Sequence, residues 1–268
     1  ISITSKRAKV FDLIRSQLDN ILPVFYRDRT RVIFSSGLFG FDFTKTKAYK
    51  DADLIHFHWI NAGFVNIRHI RKIDKPIVWT VRDMWPMTGG CHYALTCEKY
   101  LSGCGRCEQL GSESSYDLSK LVVYRKKAYL PRSIKIVGIS RWLRDEAKRS
   151  NTFHDFDVRY ISNNIDTNEF FVVDKILARE ILGIKTDKKI VLAGATSLKD
   201  FYKGFDKYLE ALKGLNKNKY FLCFFGNISK SSVEELGFEY RSFGYLSDNI
   251  SLRLAYSCAD VFVAPSIM

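Results

Sequence analysis

Short apolar runs rich in β-branched residues alternate along the chain with longer segments in which apolar residues recur every three or four positions. Runs of the first kind predict strands buried on both faces, and segments of the second kind predict amphipathic helices. Several of the helical segments open with a Ser or Asp that can cap a helix. The predicted strands are residues 53–58, 76–81, 134–139, 158–161, 189–193, 220–225 and 261–264, and the predicted helices are 5–20, 140–150, 174–182, 203–215 and 248–258.

This alternation predicts an α/β fold of the doubly wound type, with parallel sheets joined by crossover helices. A polar turn segment at residues 163–170 separates one strand and helix series from the next. We therefore expect two Rossmann-like domains, one at residues 1–168 and a partial one at 169–268. Ligands of such folds bind outside the carboxyl ends of the strands, so the residues just after each strand are the first candidates for function.

Composition limits the partners that this chain is expected to have. Its 268 residues are 46% hydrophobic, and charged residues interrupt every apolar stretch, so no transmembrane helix is predicted. The net charge of +13 favours polyanionic partners such as nucleic acid, anionic lipid or phosphorylated small molecules, although a scattered basic surface without a specific partner fits as well. No nucleic-acid-binding motif is visible, so no nucleic acid partner is expected. The first residues contain neither an initiator Met nor an apolar signal core, and a missing N-terminus is expected.

Four of the six cysteines form a set in a predicted Cys-rich loop at residues 91–107 of the first domain. Cys91, Cys97, Cys104 and Cys107 fall within 17 residues and end in a Cys-x-x-Cys pair. Such spacing suits a structural zinc site with four sulfur ligands, which leaves no open position for catalysis, so no catalytic metal is expected. One or two disulfides, or four reduced thiols, are the alternatives.

Several strings at predicted strand ends carry a family resemblance. Residues 137–143, 161–170, 203–205 and 259–266 resemble, in order and in spacing, the retaining glycosyltransferases of family 4. Residues 55–61 and 79–93 are similar to the branch of that family found in bacterial capsule and exopolysaccharide synthesis. The resemblance implies a GT-B fold, with the acceptor held mainly by the N-terminal domain and the nucleotide sugar mainly by the C-terminal one.

The resemblance also implies the residues of the donor site. Lys203 matches the diphosphate-binding lysine of the family, and is expected to open a helix. Where the family usually has an arginine five or six residues earlier, this chain has none, and Lys199 would supply the second positive charge without the bidentate geometry of an arginine. The other residues expected at the nucleotide sugar are Gly194, Gly226, Asn164, Pro265 and Ser266; Asn164 replaces the family's turn glycine, and a pure hinge turn is favoured there over ligand contact.

The first domain departs from the family at the residue before Asp83. That branch commonly has a histidine there, whereas this chain has Arg82, which cannot carry a proton near neutral pH. Either Arg82 binds a phosphate or acceptor anion, or another residue such as His92 does the polar work; a structural role beside the cysteines is equally consistent with His92. Asp83 is expected to orient a neighbour rather than to act as a base.

The function implied is transfer of a sugar, with retention, from a nucleotide-diphosphate sugar to a surface-polysaccharide or lipid-linked glycan acceptor. The enzyme would be cytoplasmic, with peripheral contact to an anionic membrane face. The chain stops before the family's glutamate motif and lacks its N-terminal glycine-rich loop, so truncation at both ends and weak or absent activity of this piece are expected. A catalytically degenerate glycan- or nucleotide-binding protein and a GT-B nucleotide-sugar epimerase are the alternatives.

Overall fold

The computed structural model describes residues 6–30, 32–197, 200–227 and 230–267. The chain divides into two compact units, the first ending at Asn163 and the second beginning at Asn164. This division falls inside the polar segment in which the sequence places the boundary between the domains. Each unit is built around its own parallel sheet.

The first unit contains a four-stranded parallel sheet in the order β1-β2-β3-β4. Its core is aromatic: Trp79 and Trp85 are fully buried, and Phe57 and Phe153 each pack edge-on against the Trp79 ring. The strands are β1 (Ile55–Phe57), β2 (Ile77–Val81), β3 (Lys135–Gly138) and β4 (Asp157–Tyr160), and the α-helices are α1 (Lys6–Val24), α2 (Lys47–Asp51), α3 (Ile67–Ile70), α4 (Leu118–Tyr129) and α5 (Arg141–Arg149).

The second unit contains a four-stranded parallel sheet in the order β7-β6-β5-β8. Alternate residues of its central strands pack into two different clusters, one with α7 and the other with α6, so both faces of the sheet are covered. Its strands are β5 (Lys189–Ser197), β6 (Tyr220–Asn227), β7 (Tyr240–Ser242) and β8 (Val261–Val263), and its α-helices are α6 (Lys175–Ile181), α7 (Phe205–Leu212), α8 (Lys230–Glu234) and α9 (Asn249–Ser257).

The predicted α/β fold with two Rossmann-like units and parallel sheets is confirmed. All seven predicted strands are present. The structure adds β7, and it adds α4, whose buried face includes a lysine that breaks the apolar pattern. None of the helices in the described ranges is long and apolar enough to cross a lipid bilayer.

Candidate functional site

The strand order of the second unit defines where a ligand fits. From β5 the chain passes to β6 and β7 on one side of the sheet, and then returns to place β8 on the other side of β5. The connections therefore change direction between β5 and β8. In doubly wound folds this switch point, at the carboxyl ends of the strands, opens the crevice in which nucleotides bind.

Two of the predicted donor-site residues are glycines at adjacent strand ends. Gly226 has a φ of 95°, and a Cβ atom there would lie 1.6 Å from the carbonyl oxygen of Ala195. A Cβ atom at Gly194 would lie 2.4 Å from the ring of Phe225. Close packing of β5 against β6 thus requires both glycines whatever binds there, and their contact with a donor stays a prediction.

Lys203 and the segment after β8 lie together in the structure. Lys203 ends a short 3-10 turn, Phe201–Lys203, instead of opening a helix as the sequence predicted. The reason is Gly204, whose left-handed φ of 60° separates this turn from α7. A Cβ atom at Gly204 would lie 2.2 Å from the carbonyl oxygen of Pro265, and Ile267 N–H donates to the Tyr202 carbonyl at 3.1 Å.

The exposed Lys203 therefore lies between two residues, Tyr202 and Gly204, that pack against the segment containing Pro265 and Ser266, at the switch point between β5 and β8. Lys199, the second predicted cation, lies outside the described residues. Asn164 is exposed and is not among the described non-glycine residues that have a left-handed φ angle. Its replacement of the family's turn glycine consequently causes no backbone strain.

In the first unit, Asp83 and His92 are brought together behind the end of β2. The Nδ1 atom of His92 lies 2.8 Å from Asp83 Oδ2, and its Nε2 atom lies 3.0 Å from Ser35 Oγ. The other carboxylate oxygen of Asp83 accepts from Trp85 N–H at 3.0 Å. His92 is only 3% exposed, and both of its ring nitrogens are engaged inside the unit. This geometry favours a role in positioning the loop over direct proton transfer to a substrate.

Arg82, by contrast, is exposed. Its guanidinium donates to the side-chain oxygen of Asn163 at 3.1 Å. Two histidines at β1 join this surface, His56 inside the strand and His58 directly after it: their rings are 4.2 Å apart, and His56 Nε2 lies 2.8 Å from Thr80 Oγ1. Burial, then the positive charges of His58 and Arg82, lower the pKa of His56.

These two histidines were absent from the set of residues predicted for the site. They lie within residues 55–61, one of the strings that carry the family resemblance; His56 lies inside β1 and His58 directly follows it. The predicted strand, residues 53–58, included both histidines, so the strand-end rule did not select them. Together with Arg82 they form a polar surface at the carboxyl ends of β1 and β2 that suits recognition of an anionic or hydroxyl-bearing ligand.

The four predicted metal-binding cysteines line one small cavity of about 20 Å³. All four are free thiols, as are Cys223 and Cys258, so no disulfide is present among the cysteines. Burial raises the pKa values of the Cys91 and Cys104 thiols to about 12. As the side chains stand, no group of three or more His, Cys, Asp or Glu residues in the described segments is arranged to hold a metal ion.

Comparisons with known proteins support the fold. No protein-family model matches the chain. It is 29% identical, over 68 residues, to WcaC of Escherichia coli K12, which is described as a colanic acid biosynthesis glycosyl transferase; the match covers 22% of this chain and 17% of that protein.

Among solved structures, sucrose-phosphate synthase from Thermosynechococcus elongatus superposes with a TM-score of 0.57 and 21% identity, over 82% of this chain and 53% of that one. Anabaena HepE, in complex with UDP, superposes with a TM-score of 0.50 and 13% identity, over 82% of this chain and 55% of that one. The chain thus spans about half the length of the structures it matches. At these identities the likeness shows the fold alone, and that fold is of the GT-B type.

Proposed function

We propose that this chain is part of a glycosyltransferase that moves a sugar, with retention, from a nucleotide-diphosphate sugar to a surface-polysaccharide or lipid-linked glycan acceptor. The observation that carries the proposal is the position of Lys203, whose neighbour Gly204 packs against Pro265 at the switch point of a doubly wound sheet. WcaC of E. coli, to which 68 residues of this chain are similar, is described as a glycosyl transferase of colanic acid biosynthesis. The structure of HepE was solved in complex with UDP.

The chemistry of the transfer explains why a lysine suits this position. The bond between the sugar's anomeric carbon and the diphosphate oxygen breaks, and a bond from that carbon to an acceptor hydroxyl oxygen forms on the same face. The hydroxyl proton leaves with the departing diphosphate. Negative charge accumulates on the diphosphate as it leaves, so an ammonium group there stabilises the transition state more than the ground state.

The distribution of charge supports an anionic acceptor or membrane partner for the first unit. Residues 1–163 carry 28 Lys and Arg against 16 Asp and Glu, whereas residues 164–268 carry 14 against 13. Nearly all of the net charge of +13 therefore belongs to the first unit. A lipid-linked phosphate acceptor at the cytoplasmic membrane face, with peripheral contact to anionic lipid, matches this asymmetry.

A second candidate is a degenerate member of the same fold that binds a nucleotide or glycan without catalysis. Arg82 supports it, because this exposed arginine donates to Asn163 at the position where the resembling branch has a histidine. His92, the other polar candidate, has both ring nitrogens engaged inside the unit. Both candidates would bind a nucleotide at Lys203, but only the transferase would turn over the donor.

The first experiment measures nucleotide binding by isothermal titration calorimetry with UDP-, GDP- and ADP-linked hexoses. We expect one nucleotide class to bind, and Lys203→Ala to weaken it about 10- to 100-fold, because a hydrogen bond to a charged group contributes about 1.5–3 kcal/mol. Lys207→Ala is the matched control, since Lys207 is exposed one turn further along α7. Equal affinity of wild type and Lys203→Ala for every nucleotide would contradict the assigned donor site.

The second experiment separates the two candidates. The donor that binds is incubated with bacterial membrane lipid and the protein, and release of the nucleoside diphosphate and transfer of labelled sugar to lipid are followed. Transfer with retained anomeric configuration, read by NMR, supports the enzyme. Binding that is lost in Lys203→Ala, without any turnover, supports the degenerate binding protein instead.

A further inference from the structure

The cysteine loop forms a second centre, apart from the donor site. Cys91, Cys97, Cys104 and Cys107 approach one cavity of about 20 Å³ from different points of the chain. A cavity of roughly 10–15 Å³ already holds one water-sized particle, so this one accommodates a single atom or ion. Its other lining residues include Phe34 and Ala94, which are apolar, and Lys99, Gln109 and Ser119, which are polar.

The backbone between the second and fourth cysteines is held in an uncommon conformation. Gly103, Cys104, Gly105 and Arg106 have φ angles of 92°, 59°, 94° and 47°, four left-handed residues in succession. Non-glycine residues in this region cost about 1–3 kcal/mol each, and they persist where the surroundings determine them. Here the strained turn directs the Cys-x-x-Cys pair toward the cavity.

A buried cation lies next to this cluster. Lys126 on α4 is fully buried, and its ammonium donates to the carbonyl oxygens of Trp85 and, at 2.8 Å, Thr88. The ammonium also lies 3.9 Å from the centroid of the Trp85 ring. Cys104, Cys91, Asp83 and Asp19 interact with it electrostatically, so negative charge on the two sulfurs would add to that of the two carboxylates.

We propose that Cys91, Cys97, Cys104 and Cys107 bind one zinc ion, which fastens the loop carrying Asp83 and His92. Four thiols and one Zn²⁺ give a tetrathiolate complex of net charge −2 and four released protons. The four neutral thiols are not already arranged as a closed site; their side chains rotate inward to about 2.3 Å from the metal when the protons leave. With four sulfur ligands the ion has no open position, and its role is structural.

The connection to His92 is short. Cys91 immediately precedes His92, and Cys91 forms an isolated antiparallel bridge with Phe34. Thr88 Oγ1 donates to the Cys91 carbonyl at 2.6 Å, and Met84 N–H donates to the His92 carbonyl at 2.9 Å. Residues 84–92 are all buried. Fixing the Cys91 sulfur consequently fixes one end of the segment that holds the Asp83 and His92 pair.

The test begins with the metal content and thiol count of the purified protein. We expect about one equivalent of zinc by mass spectrometry, and no freely titrating thiol among the four cysteines of the loop in the folded protein until a chelator removes the zinc. Exchange of zinc for cobalt should give an intense thiolate-to-cobalt charge-transfer band with a tetrahedral visible spectrum. Less than about a tenth of an equivalent of metal, with all four of these thiols titrating freely, would overturn the proposal, as would a mass showing disulfides.

Substitutions of single cysteines test which of them bind the zinc ion. Cys97→Ser and Cys107→Ser should lower bound zinc several-fold, whereas the control Cys258→Ser, which changes a buried cysteine of the second unit, should retain one equivalent. If a variant fails to fold, the cobalt spectrum of the wild-type protein still tests whether thiolates bind the metal. Removing zinc by chelation should speed amide exchange in residues 84–92 at least tenfold and leave β5 unchanged. Unchanged exchange in that loop would refute the fastening role.

Discussion

The carboxylate of Asp260 provides the sharpest stability prediction, because it joins three elements of the second unit. Its Oδ2 atom accepts from Arg179 Nη2 at 2.7 Å and from Ile190 N–H at 2.8 Å, while Oδ1 accepts from Lys175 Nζ at 2.8 Å. The side chain is 17% exposed. Asp260→Asn keeps an oxygen for Ile190 and removes the charge, so the change isolates the ion pairs with Lys175 and Arg179 of α6 and the longer one, at 3.8 Å, with Lys189 of β5.

The magnitude follows from the pKa of this carboxyl. Burial alone would raise the pKa, but the bonds from Lys175 and Ile190 and the charge of Arg179 outweigh it and hold the pKa at about 2, below the usual 3.8. At about 1.4 kcal/mol per unit this gives about 2 kcal/mol at pH 7, and partial solvent screening leaves about 1–2 kcal/mol. The folded carboxyl has the lower pKa, so this stability is present above pH 4 and is lost as the pH falls through 2.

The assay is urea unfolding of wild type and Asp260→Asn from pH 7 to pH 3. We expect the variant to be about 1–2 kcal/mol less stable at pH 7, and about half of that difference to have disappeared at pH 3. Asp187→Asn, a change of an exposed aspartate on the loop before β5, is the matched control and should alter stability by less than about 0.5 kcal/mol. A difference between wild type and Asp260→Asn that is independent of pH would refute the reasoning.

Three further changes test local features. Gly226→Ala should reduce the free energy of unfolding by more than about 2 kcal/mol, measured in urea, because its Cβ atom would lie 1.6 Å from the Ala195 carbonyl oxygen; no loss would contradict the close approach of β5 and β6. Thr88→Val should cost about 1–3 kcal/mol in the same assay, since it leaves the buried Cys91 carbonyl without its hydroxyl donor, while Thr88→Ser should restore most of it. Ser140→Ala should lower the thermal midpoint modestly, by about 1 kcal/mol of stability, because its hydroxyl caps α5, and an unchanged midpoint would show that the cap is dispensable.

The strands were predictable because each is buried on both faces and so forms a continuous apolar run. β7 escaped prediction because Tyr240–Ser242 is short and contains Arg241. α4 escaped because Lys126 occupies a core position on it. Lys126 can be buried because carbonyl oxygens and sulfurs from distant parts of the chain surround its ammonium group. The hydrophobic pattern of residues 118–129 alone does not include these partners.

In the candidate site, too, single residues were predictable from the sequence, whereas the contacts between them were not. Lys203 and Pro265 could each be named from a local string, but the approach of Gly204 to Pro265 that brings these segments together depends on the return of β8 beside β5, which local pattern does not specify. The start of α7 was placed too early because Gly204 adopts a left-handed conformation only under the Pro265 carbonyl. The pairing of Asp83 with His92 likewise depends on Ser35, contributed by a segment more than 45 residues earlier.

The proposed donor site depends on the docking of β8 against β5 when the second unit folds. β8 has three residues and, within the described segments, pairs only with β5, about 70 positions earlier in the chain. Strands of this kind dock late in folding and open first in the native state, because they close long loops and share few contacts. The segment at Pro265, which packs against Gly204, directly follows β8 and depends on its docking. A nucleotide bound at the proposed donor site should therefore slow hydrogen exchange in β8 more than in β6.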